Sequence, residues 1–242
     1  MIFWRKKKHI DLSWIQTDIH SHLLPGIDDG SPDLATSIEL IKGLSEFGFK
    51  KIITTPHILW EMYPNTSEII IAGSAEVREK LQENNIPVEF SAAAEYFLDE
   101  HFEQELKAKM PLLAIKDNLV LVEFSMVTAP FDLKDLLFEM LMQNYQPLIA
   151  HPERYIYLRN KKTFFDELKE SGCQFQLNLL SLTGHYGTSV QELAEYLVKK
   201  EYYDYAGTDL HNARHLPSLQ KLQNTPLFSR LKDSQRLKNH LL

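Results

Sequence analysis

Thr17-Asp18-Ile19-His20-Ser21-His22-Leu23-Leu24-Pro25-Gly26-Ile27-Asp28-Asp29-Gly30 decides the reading of this chain. Two histidines stand one residue apart at the end of a short apolar-leading run over residues 12–19. Along a strand, residues i and i+2 share a face, so His20 and His22 project side by side and can hold one metal ion. Asp28 or Asp29 lies far enough along to fold back and add a carboxylate. Spacing does not separate the two, since one of them can instead cap the turn before Ser31. A lone His-x-His is as often a strand end with satisfied hydrogen bonds, so the matter turns on whether other strand ends supply further ligands.

They do. Short apolar runs at residues 14–20, 51–55, 88–93, 119–124, 146–150, 173–179 and 203–206 read as strands. Helical spacing fills 33–47, 66–84, 101–109, 133–144, 163–171 and 190–200, then 216–222 and 226–242. Ser31 is the expected cap of the first helix, with Pro32 in its first turn and Gly48 as its stop. This alternation predicts a parallel sheet with helices outside it, open or closed. Placement of the polar residues favours closure. His20 and His22 end the first run, His57 follows the second, Glu95 the third, Glu123 the fourth and His151 the fifth, with Asp209 and His211 after the seventh. Chemistry at the C-terminal ends of many strands converges only if those ends form a ring. The expected fold is therefore an α/β, seven-stranded (β/α)7 TIM-like barrel; its sixth run ends near Asn178 without an obvious ligand.

Five histidines and four carboxylates, counting Asp29, exceed the three or four ligands of a mononuclear site and predict two or three divalent ions. Such clusters clamp phosphoryl groups and generate hydroxide near neutral pH. Imidazole with carboxylate and no thiolate suits Mn, Fe, Zn or Co. Glu123 interrupts the buried-looking Leu121-Val122-Glu123-Phe124, where a carboxylate needs a partner or a metal. Arg154, three residues beyond His151, can grip phosphate with two N–H groups, or pair with Glu153 or another acid and hold the loop. Arg214, three after His211, has the same two readings. His9, His101, His185, His215 and His240 have no comparable setting and read as surface or structural.

The 242 residues suffice for one large domain with a substantial core, and a net charge of −7 argues against a general nucleic-acid binder. Cys173, the single cysteine, rules out an internal disulfide and fits a reducing, cytoplasmic setting. A Cys-x5-Arg nucleophile motif would need arginine at position 179, which is Leu179. No stretch is long and apolar enough to span a membrane, and Met1–Lys8 lacks the order of a secretory signal. Residues 1–13 are expected to be a flexible extension ahead of a single domain over 14–242. Phe3 and Trp4 beside four cations leave peripheral contact with an anionic membrane open, against a solvated tail as the ordinary reading.

The segments Asp18-Ile19-His20-Ser21-His22-Leu23-Leu24-Pro25-Gly26-Ile27-Asp28-Asp29-Gly30, Thr55-Pro56-His57, Ala94-Glu95-Tyr96-Phe97-Leu98-Asp99, Glu123-Phe124, Ala150-His151-Pro152-Glu153-Arg154-Tyr155 and Thr208-Asp209-Leu210-His211-Asn212 resemble the PHP (polymerase and histidinol phosphatase) superfamily. Within it they resemble the CpsB/CapC-type metal-dependent protein-tyrosine phosphatases of bacterial capsule and exopolysaccharide biosynthesis. The resemblance runs over about residues 14 to 215; its first and fifth segments are specific, whereas Thr-Pro-His or Glu-Phe alone would be weak. It implies a distorted seven-stranded barrel and a trinuclear, often manganese-dependent site with ligands His20, His22, Asp29, His57, Glu95, Glu123, His151, Asp209 and His211. It implies Arg154 as the phosphate-binding, catalytic arginine; Arg214 does not sit on a family position and stands as a second substrate contact only on its spacing from His211. Thr208 stands where the family usually has serine. The implied reaction is in-line attack of a metal-bridging hydroxide on phosphotyrosine, with a bacterial tyrosine kinase as the protein substrate. Competing readings are a small-molecule phosphomonoesterase such as a histidinol-phosphate phosphatase, an amidohydrolase or TatD-type hydrolase with eight strands, and a non-catalytic metal-binding partner of a kinase.

Overall fold

The structure is a computed structural model that describes residues 10–242. Among the described residues nine strand segments occupy seven positions around a parallel barrel: β1 (Thr17–Asp18), β2 (Lys51–Thr54), β3 (His57–Ile58), β4 (Glu89–Ala92), β5 (Glu95–Phe97), β6 (Leu119–Glu123), β7 (Gln146–Ala150), β8 (Gln174–Asn178) and β9 (Tyr205–Gly207). Their order is β1-β2-β4 in one ladder and β3-β5-β6-β7-β8-β9 in the other, with every pair parallel. Beyond two of the expected runs, 51–55 and 88–93, the chain thus adds a second strand segment, β3 and β5. Pro56 has no N–H to give, and the chain bends there, but Glu95 N–H donates to the Pro56 carbonyl at 3.1 Å and carries the ladder from β2 to β3. The ring closes where Ser21 bridges Leu210 and Asp209 N–H donates to the His20 carbonyl at 2.7 Å.

Burial on both faces accounts for the apolar runs. Ile53, Ala93, Leu121, Leu148 and Tyr205 pack together as one buried cluster, while Ile52, Val120, Val122, Ile149 and Phe175 belong to a second, larger one. The larger cluster includes the inner faces of α1 (Leu34–Glu46), α2 (Ser67–Glu83), α3 (Glu100–Lys107), α4 (Leu133–Met142), α5 (Thr163–Glu170) and α6 (Thr188–Lys199). With a period of two, the smaller cluster's face continues from Leu121 to Glu123, from Ala93 to Glu95 and from Ile53 to His57. One face of the sheet therefore changes from apolar to ionisable on reaching the C-terminal strand ends.

Several boundaries differ from expectation. The first helix is capped by Asp33, whose carboxylate accepts from Thr36 N–H at 2.8 Å, and not by Ser31. Ser31 instead donates its hydroxyl to the Asp33 carbonyl. The segment after β9 forms α7 (His215–Leu219) and α8 (Pro226–Ser234), which stops at Gln235 in a left-handed conformation. Helix does not continue to residue 242 because the end of the chain seals the barrel: Asn239, buried, donates to the carbonyls of Thr17 and Ala206 and accepts from Ala206 N–H. The expected extension over 1–13 lies largely outside the described residues. Its described end is not loose, since Ile10 and Leu12 are buried and Leu12 N–H donates to the Phe47 carbonyl at 2.7 Å.

Candidate metal centre

Eight of the nine expected ligands are gathered at the barrel mouth with buried or largely buried side chains, and Asp29 joins them from a half-exposed loop. Glu95 is the hub. Its Oε2 lies 3.2 Å from His20 Nε2, 3.3 Å from His22 Nε2 and 3.2 Å from His57 Nδ1, and its Oε1 lies 3.2 Å from His151 Nε2. Glu123 reaches His57 Nδ1 at 3.1 Å, and Asp209 Oδ1 reaches His20, His22 and His211 at 3.3, 3.5 and 3.4 Å. His151 and Asp209 both have positive φ, 34° and 51°, a left-handed turn that costs on the order of 1–3 kcal/mol and recurs where function demands it.

Donor chemistry fits divalent cations. His22, Asp29, His57 and His211 form one group of converging ligand atoms; His20, His22 and Glu95 form another, as do His20, His151 and Asp209, and His57, Glu95 and Glu123. Glu95 Oε1, His57 Nδ1 and His151 Nδ1 are buried without a hydrogen bond, and the Nε2 atoms of His20 and His22 face each other at 3.3 Å. Acceptors that converge without protons between them are what a cation satisfies. These clusters make one or more divalent-metal sites.

Neighbouring groups fix the orientation of the imidazoles. His20 Nδ1 bonds Gln176 Oε1 at 2.9 Å, His22 Nδ1 bonds Asp28 Oδ2 at 2.7 Å, and His211 Nδ1 donates to the Asp209 carbonyl at 2.9 Å. Each bond protonates the outer nitrogen and leaves Nε2 free to ligate. Asp28 also accepts from Gly30 N–H and His57 N–H, so it holds the loop and the ring together while Asp29 faces His57 and His211. Gly30 permits this close return, because a Cβ there would sit 2.2 Å from the His22 carbonyl oxygen.

Electrostatics follow from this crowding. Burial alone would raise the Glu95 carboxyl, but His20 and His57 beside it hold it well below the usual carboxylate range. Asp209, likewise buried, is held low by His20, His211 and Arg154. Burial pulls the His20 imidazole down, yet Glu95 and Asp209 carry it up to about 9. A histidine raised above its unfolded value of about 6.5 adds stability that is complete below that pH and is lost as pH climbs through about 9. The metal-free protein should therefore lose thermal stability between pH 6.5 and 9. The metal-loaded protein should not, since cations replace those protons. Unfolding midpoints measured with and without chelator across that range test this; parallel curves would refute it.

Other expectations meet the structure unevenly. Arg154 lies at the pocket wall with Nη1 2.9 Å from Asp209 Oδ2, not paired with Glu153. Glu153 is buried elsewhere, accepting from Asn178 N–H and the Tyr203 hydroxyl. Arg214 is not brought to the pocket: it is exposed at the start of α7, while Asn212 and His215 on either side line the wall. His215, read as surface or structural, lies beside His211, its Nδ1 facing His211 N–H at 3.4 Å. Tyr186, Gln176 and Asn178 were not anticipated. The alternation Gln174-Phe175-Gln176-Leu177-Asn178, polar on one face of a buried strand, was the signal that could have found the last two. Thr208 keeps the role a serine hydroxyl could play, donating Oγ1–H to Asp18 at 2.8 Å.

A parallel barrel of seven strand positions with imidazoles and carboxylates crowded at its C-terminal mouth defines a metal-dependent hydrolase of the PHP fold. The family model for capsular polysaccharide synthesis proteins, CpsB/CapC, matches residues 16–229, and the chain belongs to that family. It is 31% identical over 198 residues to tyrosine-protein phosphatase YwqE of Bacillus subtilis, covering 81% of this chain and 78% of YwqE. Tyrosine-protein phosphatase CpsB of Streptococcus pneumoniae is 29% identical over 207 residues, 83% of this chain and 84% of that protein. A crystal structure from work on YwqE and pneumococcal CpsB, described as unique metal-dependent tyrosine phosphatases, superposes with a TM-score of 0.78 at 28% identity, covering 92% of this chain and 94% of that one. Histidinol phosphate phosphatase of Lactococcus lactis shares the fold alone, with a TM-score of 0.53 at 15% identity over 93% of this chain and 94% of that one.

Proposed function

We propose that this protein is a metal-dependent protein-tyrosine phosphatase of capsule or exopolysaccharide biosynthesis, acting in the cytoplasm on a phosphotyrosine-bearing tyrosine kinase. The observation that carries this reading is the barrel mouth itself: an open pocket where metal-ligand clusters meet Arg154 beside the aromatic walls Phe97, Phe124 and Tyr186. In this reading His20, His22, Asp29, His57, Glu95, Glu123, His151, Asp209 and His211 hold two or three ions, with manganese first among the metals to try. Bound there, divalent cations would supply Lewis acidity toward phosphoryl oxygens and a nucleophilic oxygen from water near neutral pH.

The chain's own groups do the rest. Arg154 turns its guanidinium to the equatorial phosphoryl oxygens and offsets the charge that develops on them. Phe97 and Met126 accept the tyrosyl ring, and the open mouth admits it as part of a protein. A tyrosyl leaving group has a pKa of about 10, so it departs with little help from an acid. Cys173 takes no part: it is buried, and burial pushes its thiol up to about 11, which leaves almost no thiolate at neutral pH. Cys173→Ser should keep kcat within about twofold, with metal dependence unchanged; a loss of turnover in a folded variant would bring the thiol into the chemistry.

Phosphate release from a phosphotyrosine peptide and from histidinol phosphate, measured in parallel on chelated protein with Mn, Zn or Fe restored, tests the assignment. Metal-restored turnover of the peptide, in clear preference to the small molecule, is the expected result. Turnover of histidinol phosphate alone would move the protein to small-molecule metabolism. Silence on both substrates with metal bound would leave it a regulatory partner.

A further inference from the structure

Asp209 uses its two oxygens differently. Oδ1 faces His20, His22 and His211, whereas Oδ2 accepts from both Arg154 Nη1 at 2.9 Å and Asn178 Nδ2 at 2.7 Å. The second donor matters as soon as Arg154 has another task. A guanidinium that leaves a buried carboxylate to meet a phosphoryl group strands an oxygen, and a stranded charged acceptor resists the move. Here the oxygen keeps Asn178.

Asn178 is itself locked on every side. Its Oδ1 accepts from Leu180 N–H at 2.9 Å, its backbone N–H donates to Glu153 Oε1 at 3.0 Å, and its Nδ2 also reaches the Tyr186 hydroxyl at 3.1 Å. The ring of Tyr186 carries the Arg154 guanidinium at 4.7 Å from its centroid, a flat surface over which the planar group can shift without losing contact. Arg154 thus keeps a surface to rest on as it shifts, and Asp209 keeps a second donor.

We propose that Asn178 and Tyr186 are positioning residues that release Arg154 for substrate: Asn178 keeps Asp209 directed at the metal centre while Arg154 moves from Asp209 Oδ2 to the phosphoryl oxygens, and Tyr186 guides that movement. This rests on the phosphatase reading above. The strand that ends without a ligand, β8, then serves the site through Asn178.

Two equilibrium titrations test it without turnover: inorganic phosphate into manganese-loaded protein, and Mn into metal-free protein, for wild type, Asn178→Ala, Arg154→Ala and the double variant. Asn178→Ala should weaken phosphate binding by about tenfold, because Arg154 becomes the only partner of Asp209 Oδ2 and is withheld from the anion. Its Mn affinity should stay within about threefold of wild type, and so should that of Arg154→Ala, each keeping one donor on Oδ2. The double variant should lose about tenfold in Mn affinity beyond the two single effects combined, since Oδ2 is then stranded. Tyr186→Leu, which keeps an apolar side chain at the half-buried pocket wall, should weaken phosphate by about threefold and leave Mn unchanged. Unchanged phosphate affinity in both Asn178→Ala and Tyr186→Leu, or additive Mn effects in the double variant, would overturn the proposal. Wild-type protein that takes up Mn but no phosphate would remove the phosphatase reading, and this inference with it.

Discussion

Glu95→Gln is expected to lower phosphotyrosine turnover by about a thousandfold or more, together with most of the bound metal. The argument is geometric before it is chemical. Four imidazoles, those of His20, His22, His57 and His151, approach the two oxygens of this one fully buried carboxylate within 3.2 to 3.3 Å. Glutamine keeps the shape but replaces one of those oxygens with an NH2 group and removes the charge. Whichever way the amide turns, N–H bonds then point where a cation or an acceptor nitrogen should be. Two of the four ligand groups include Glu95, so no single remaining cluster can take over its place. Metal per chain by elemental analysis, kcat with excess Mn, and far-ultraviolet circular dichroism separate the outcomes. A folded variant that kept its full metal complement and a tenth of its turnover would show that the centre does not depend on this carboxylate.

Most of the fold was legible in the sequence because both faces of a parallel sheet are buried, which writes strands as apolar runs. The polar residue closing each run marked the C-terminal rim. What stayed hidden was where local geometry overrides the run. Pro56 breaks one strand without ending its ladder, and Ala93-Ala94 separates two strand segments that pair with different neighbours. The last helical stretch stops at Gln235, and Asn239 beyond it bonds Thr17 and Ala206 at the barrel base. At the site, residue type and strand position picked out the histidines and carboxylates that gather at the mouth, except that spacing left Asp28 and Asp29 unseparated. Side chains that act through others left a weaker trace. Gln176 and Asn178 carry no charge and sit in a buried strand, so only their shared face distinguished them. Arg154 and Arg214 had identical spacing from a histidine, and sequence could not tell that a short turn after His151 directs one inward while α7 leaves the other in solvent.

Arg154→Ala should lower kcat/KM for a phosphotyrosine peptide by about a hundred- to a thousandfold, the usual loss when a group that stabilises transition-state charge is removed. Unlike Glu95→Gln, it should leave metal content and unfolding midpoint nearly unchanged. The reason lies in what Arg154 touches: one oxygen of Asp209, which keeps Asn178 as a second donor, and the ring of Tyr186, which belongs to the pocket wall. Arg154→Lys should recover no more than about tenfold of the loss. A lysine restores the charge, but it has neither the paired N–H groups that match two phosphoryl oxygens nor the planar face that rests on Tyr186. The contrast between the two substitutions distinguishes a group that grips the phosphoryl oxygens in two places from one that only attracts an anion. Kinetics on manganese-loaded variants, with metal content measured on the same samples, check both. If Arg154→Ala stayed within threefold of wild type at full metal loading, phosphate would have to be held by the metals alone, and the position of Arg154 in the pocket would be a matter of holding Asp209.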